Sequence, residues 1–141
     1  MQTLTADEYT FLTDLSKAYR DRHLPSIKRK SDWNPRLGVD ALCFQHHGAK
    51  HMVGALITPC ELWLVAVPDH SRLTEPLADT LTLSLPSGTY PLSLERLPGG
   101  YGLYKRAILR DLSELESMQE AARLAQQMMA RLMQPDEELN A

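Results

Sequence analysis

Hydrophobic positions along the chain change their period twice. Near the start, Tyr9, Leu12, Leu15 and Tyr19, with Phe11 and Ala18 beside them, recur every three or four residues, the spacing of one helix face. Thr5-Ala6-Asp7-Glu8 stands just before them in the form of a capping box. The spacing predicts a helix from about residue 6 to about residue 23, stopped by Pro25. From Leu37 the period shortens to two, with Leu37, Val39, Ala41 and Cys43 on one face and Asp40, Leu42 and Phe44 on the other. Residues 45–50, with Gly48, read as a turn. Residues 52–57 and 62–67 are two apolar runs separated by Thr58-Pro59-Cys60-Glu61, suited to burial on both faces of a sheet. A polar loop follows over 68–76. Leu81, Leu83 and Leu85 alternate up to Pro86-Ser87-Gly88, Leu92 and Leu94 alternate up to Pro98-Gly99-Gly100, and residues 101–109 make a last strand. At Ser117-Met118-Gln119-Glu120 a second capping box appears. Behind it Met118, Ala121, Ala122, Ala125, Met128, Met129 and Leu132 form one helical stripe over about residues 117–133.

Helix, hairpin-joined strands, helix is an α+β pattern: a mostly antiparallel sheet over about residues 37–109, with an N-terminal and a C-terminal helix packed on it. The length of 141 residues suits a single domain, 1–141, able to bury a core without disulfide or metal. A net charge of −3 gives no general attraction to phosphate polymers, so nucleic acid is not an expected partner. No apolar run approaches the roughly 18–20 residues of a membrane span, and residues 1–14 carry acids where a signal peptide carries bases. With only Cys43 and Cys60 as cysteines, no disulfide framework is expected, and the chain reads as cytoplasmic with reduced thiols.

Candidate chemistry is sparse. His46, His47 and His51 surround a turn, but no carboxylate or cysteine nearby completes a ligand set, so no metal site is expected. Cys60 beside Pro59 and Glu61 lacks a recognisable activating base and reads as a structural thiol. Phosphate-binding and hydrolase motifs are missing, and Pro98-Gly99-Gly100-Tyr101-Gly102 stands between strands with no helix to follow. The methionines of the last helix suit either a core or an adaptable binding face, and the core reading is preferred. Bases concentrate over residues 17–36 and acids over 111–138, which suggests either neighbouring regions or an acidic end open to a basic peptide. The residues alone give an α+β domain without a visible active site, with no enzyme activity and no cofactor expected.

Asn34-Pro35-Arg36-Leu37-Gly38-Val39-Asp40-Ala41, followed by Gly54-Ala55-Leu56-Ile57-Thr58-Pro59, resembles the HybE/HupJ family of nickel–iron hydrogenase assembly chaperones. Leu62 to Val67 closing on Pro68, the Pro86-Ser87-Gly88 turn and a G-x-Y at Gly99-Gly100-Tyr101 or Gly102 to Tyr104 follow in the family's order. Cys60 stands where the family has tryptophan after Thr-Pro, although Trp63 is close by. Residues 107–112 depart from the family's pattern. The resemblance implies a cytoplasmic chaperone that binds a hydrogenase large- or small-subunit precursor, including the small subunit with its twin-arginine signal peptide. It implies no membrane partner. On residue chemistry, Glu114, Glu116 and Glu120 are the expected contacts for signal-peptide arginines, with Trp63 and Tyr101 as aromatic anchors. The rival readings are a non-catalytic adaptor or regulatory subunit for another metalloprotein, and a small enzyme using Cys60 with one of the three histidines.

Overall fold

The structure, a computed structural model, describes residues 4–48, 51–68 and 78–135. Helix α1 (Ala6–Arg29) begins on the expected box: Thr5 Oγ1 accepts the Glu8 N–H at 3.1 Å, and Glu8 Oε1 accepts the Thr5 N–H at 2.8 Å. It does not stop before Pro25 as the sequence predicted, but runs through it. Proline in a helix interior forfeits one backbone bond and crowds the preceding turn. Pro25 is exposed, so its ring stands in solvent. The next turn is retained because Ile27 is buried and because Lys28 and Arg29 face the negative end of the helix dipole.

Six strands follow: β1 (Asp40–His47), β2 (His51–Ile57), β3 (Leu62–Pro68), β4 (Thr80–Leu85), β5 (Gly88–Leu97) and β6 (Tyr101–Leu109). They form one sheet in the order β1-β2-β3-β6-β5-β4, every neighbouring pair antiparallel. The first strand starts at Asp40, not Leu37, because its ladder ends where Asp40 meets Ile57. Leu37 instead closes a turn by donating its N–H to the Asn34 carbonyl.

The expected alternation along β1 also breaks. Leu42 pairs with Ala55 and Gln45 with Val53, so Cys43 and Phe44 together oppose Gly54, and Cys43 takes φ 61°. This bulge turns Leu42 and Cys43, consecutive residues, towards the same layer and sends Ala41 and Phe44 to the other. The Phe44 side chain then occupies the space above Gly54: a Cβ there would stand 2.4 Å from Phe44 Cδ1.

The sheet carries a core on each face. One layer joins Leu12, Leu15 and Tyr19 of α1 to Met52, Leu56, Val65, Val67, Leu97 and Leu103. The other joins Ala121, Ala125 and Met129 of helix α2 (Met118–Leu132) to Val53, Ala55, Ile57, Leu62, Leu64, Leu83, Leu85, Leu92 and Tyr104. Strands β2 and β3 are buried on both faces because both layers need them. At the start of α2, Ser117 Oγ accepts the Glu120 N–H, while Glu120 Oε1 accepts from the Glu116 N–H, one residue earlier than a capping box requires.

Candidate functional site

Asn34 gathers one end of the sheet. Its buried side-chain Nδ2 donates to the carbonyls of Leu112 at 2.9 Å and Leu115 at 2.7 Å, and its Oδ1 accepts the Arg36 N–H at 3.0 Å. Its own backbone N–H reaches the Pro59 carbonyl at 2.9 Å. In the same corner Thr58 Oγ1 accepts from the N–H groups of Cys60 and Glu61, fixing the turn between β2 and β3. A single amide therefore ties the basic stretch around residues 28–36 to the acidic loop at 111–116. The two charged regions are therefore neighbours in the fold, and Glu114 and Glu116 stay exposed.

Along the open side of β1 lies a groove of about 380 Å³, lined by Cys43, Phe44, Gln45, Gln126, Met129, Ala130 and Met133. The bulge supplies one wall and the second half of α2 the other. Met129 belongs to the core, and Ala130 and Gln126 are exposed. The stripe of the last helix is thus mostly core, as preferred, with its C-terminal methionines reaching a surface. Burial pushes the Cys43 thiol up, so it stays protonated and behaves as an apolar lining.

On the opposite face, Arg22, His23 and Lys105 converge on Glu95 in a place the sequence did not reveal. Glu95 of β5 receives Lys105 Nζ at 2.6 Å, His23 Nε2 and Arg22 Nε, the last at 3.3 Å. Lys105 also donates to Tyr19 Oη at 2.9 Å and stands 4.3 Å above the Trp63 ring. Burial pushes the Glu95 carboxyl up, but the bonds from Lys105 and His23 outweigh it and the net direction is down. Lys105 shows the mirror image: burial lowers it, and its bonds to Glu95 and Tyr19 hold it above the usual lysine value. Lys105 shares the parity of Leu103, and Glu95 that of Leu97, so both charges point inward. That signal becomes visible only once the strand register is known.

The five residues expected to contact a partner fall into two groups. Trp63 and Tyr101 belong to the α1 layer: Trp63 lies under Lys105, and Tyr101 packs against Phe11 with ring centres 5.6 Å apart. Glu114 and Glu116 are exposed just before α2, and Glu120 lies in its first turn with its carboxylate committed to the Glu116 N–H. The structure does not bring the aromatic pair and the acids together, because the sheet stands between them.

His46 bonds Glu8 at 3.1 Å and so joins β1 to the start of α1, while His47 pairs with His51 across the hairpin. Among the described residues no group of three or more His, Cys, Asp or Glu is placed to hold a metal ion. Cys60 is buried, and burial pushes its thiol up, which opposes a thiolate nucleophile. Among the described residues no helix is long and apolar enough to cross a membrane.

A family profile described as "[NiFe]-hydrogenase assembly, chaperone, HybE" matches residues 11–141. The chain belongs to this family. It is an assembly chaperone and not an enzyme, and the resemblance read from Asn34 to Tyr101 is borne out. Among solved structures, the fold is similar to the solution structure of HybE from Escherichia coli, with a TM-score of 0.65 and 21% identity over 87% of this chain and 76% of that one. No curated protein matches the chain.

Proposed function

We propose that this HybE-family chain acts in the cytoplasm as one domain, 1–141, holding a hydrogenase precursor during maturation, and that its client is the small subunit with its twin-arginine signal peptide. The match to a hydrogenase-assembly family across residues 11–141 is the observation that carries the reading. The surface supports it through the layout of α2. Exposed Glu114 and Glu116 stand at one end of the helix and the apolar groove beside Met129, Ala130 and Met133 at the other. At 1.5 Å per residue these ends are about 20 Å apart. A segment with arginines followed by an apolar stretch lies along that length with its charges at the acids and its apolar part in the groove. Trp63 and Tyr101 lie on the other face of the sheet, outside this surface, and Glu120 holds the acidic loop at the helix start.

Copurification with the precursor tests the assignment. Ala130→Arg fills the groove from an exposed position, and Glu114→Gln with Glu116→Gln removes the acids without touching the cap. The first variant is expected to lose the precursor with an unchanged thermal midpoint, and the second to weaken capture most at low salt. Full capture by both variants would remove α2 from the site.

A further inference from the structure

The sheet has two edges, and they are treated differently. At β1 the edge is broken by the bulge at Cys43 and Phe44 and by the positive φ of Cys43, devices that discourage an added strand. Strand β4 at the other edge has none of these. Its pairing with β5 runs unbroken from Leu85 and Gly88 to Thr80 and Ser93, and Thr80-Leu81-Thr82-Leu83-Ser84-Leu85 contains no charge and no proline.

The direction of its backbone groups follows from one bond. The Leu94 N–H donates to the Asp79 carbonyl at 2.9 Å, continuing the ladder one pair further. In an antiparallel ladder alternate residues turn their N–H and C=O to the same neighbour. Asp79, Leu81, Leu83 and Leu85 therefore face β5, and Thr80, Thr82 and Ser84 present theirs to the open side. Among the described residues no backbone hydrogen bond reaches them. The side chains of these three are exposed, whereas Leu83 and Leu85 are buried in the α2 layer and Leu81 is half-buried there.

We propose that β4 pairs with β4 of a second copy of this chain, antiparallel, about a two-fold axis at Thr82. The strand is self-complementary in that register. Thr82 meets Thr82, Thr80 meets Ser84, and Leu81 meets Leu83 on the other face. Hydroxyl side chains oppose hydroxyl side chains, leucines oppose leucines, and no like charges meet. The three outward residues of each copy exchange about six backbone hydrogen bonds. The contact is isologous, and the bulged β1 edge cannot repeat it, so assembly closes at two copies instead of growing into a fibre. The dimer leaves the groove beside β1 open, so it is independent of the client assignment above.

Sedimentation equilibrium of the full chain reads this directly. The wild type is expected to dimerise in the micromolar range. Thr82→Lys and Thr82→Glu each place like charges together at the axis. Each alone is expected to weaken self-association at least tenfold at an unchanged thermal midpoint, since the Thr82 side chain is exposed. Mixing the two variants in equal amounts restores the dimer. In the wild type, amide exchange at Thr80, Thr82 and Ser84 slows as concentration rises. A wild type that stays monomeric through the micromolar range overturns the proposal. So does a Thr82→Lys chain that dimerises as tightly as the wild type, or exchange at these amides that ignores concentration.

Discussion

Single side chains settle the local geometry here by exclusion and by charge. Gly54 is glycine because the β1 bulge drives Phe44 across it; a Cβ would also meet the Phe44 Cα at 2.8 Å, and backbone cannot step aside as a flexible side chain does. Gly54→Ala is therefore expected to cost about 1–3 kcal/mol in a denaturant titration, the usual range for overpacking. A variant as stable as the wild type would mean that the bulge does not hold Phe44 there. Glu95 sets a pH limit instead. Its carboxyl is held below the ordinary value of 4.5, so the folded chain binds that proton less readily than the unfolded one. Its contribution to stability is complete above the unfolded value and is lost as pH falls through the folded one. Between pH 5 and 3, Glu95→Gln should accordingly show a shallower loss of stability than the wild type. At neutral pH the same variant is less stable, because Lys105 keeps its half-buried charge without its partner. Parallel acid-unfolding curves for the two chains would contradict the network's role.

The elements show how far a hydrophobic pattern reaches. Both helices, the capped start of α1 and the hairpin-joined strands were legible because their signals are local: periods of 3.6 and 2, and turns built on glycine and proline. What escaped was decided by tertiary packing. Pro25 reads as a stop, yet buried Ile27 makes the following turn worth keeping. The inward pair Glu95 and Lys105 lies on strands whose register no local pattern fixes, and the bulge at Cys43 depends on the match of β1 to β2. The acids at the start of α2 were legible as a group, but their separation by the sheet from Trp63 and Tyr101 was not. Because α1 carries Pro25 on an exposed face, Pro25→Ala restores an N–H for the Asp21 carbonyl at no loss of packing. A gain of about 1–3 kcal/mol is expected, measured as a higher thermal midpoint. No gain would show that the last turn of α1 is held wholly by its contacts.

For the molecule as a whole, two helices on opposite faces of one sheet leave the work to surfaces. The sheet carries a core on both faces, burial keeps the thiols protonated, and the inward ionic cluster at Glu95 is spent on joining α1 to β5 and β6. What is offered outward is the α2 side, with acids at one end and an apolar groove at the other, together with the β4 edge. On the function proposed above, the client carries a twin-arginine segment that its processed form lacks. Calorimetric titration of the purified chain with the small-subunit precursor, and separately with the same subunit lacking its signal peptide, tests this most directly. The account predicts saturable binding to the precursor and at least about tenfold weaker binding to the processed subunit, a difference of roughly 1.4 kcal/mol. Equal affinity for the two forms, or no heat with either, would contradict it.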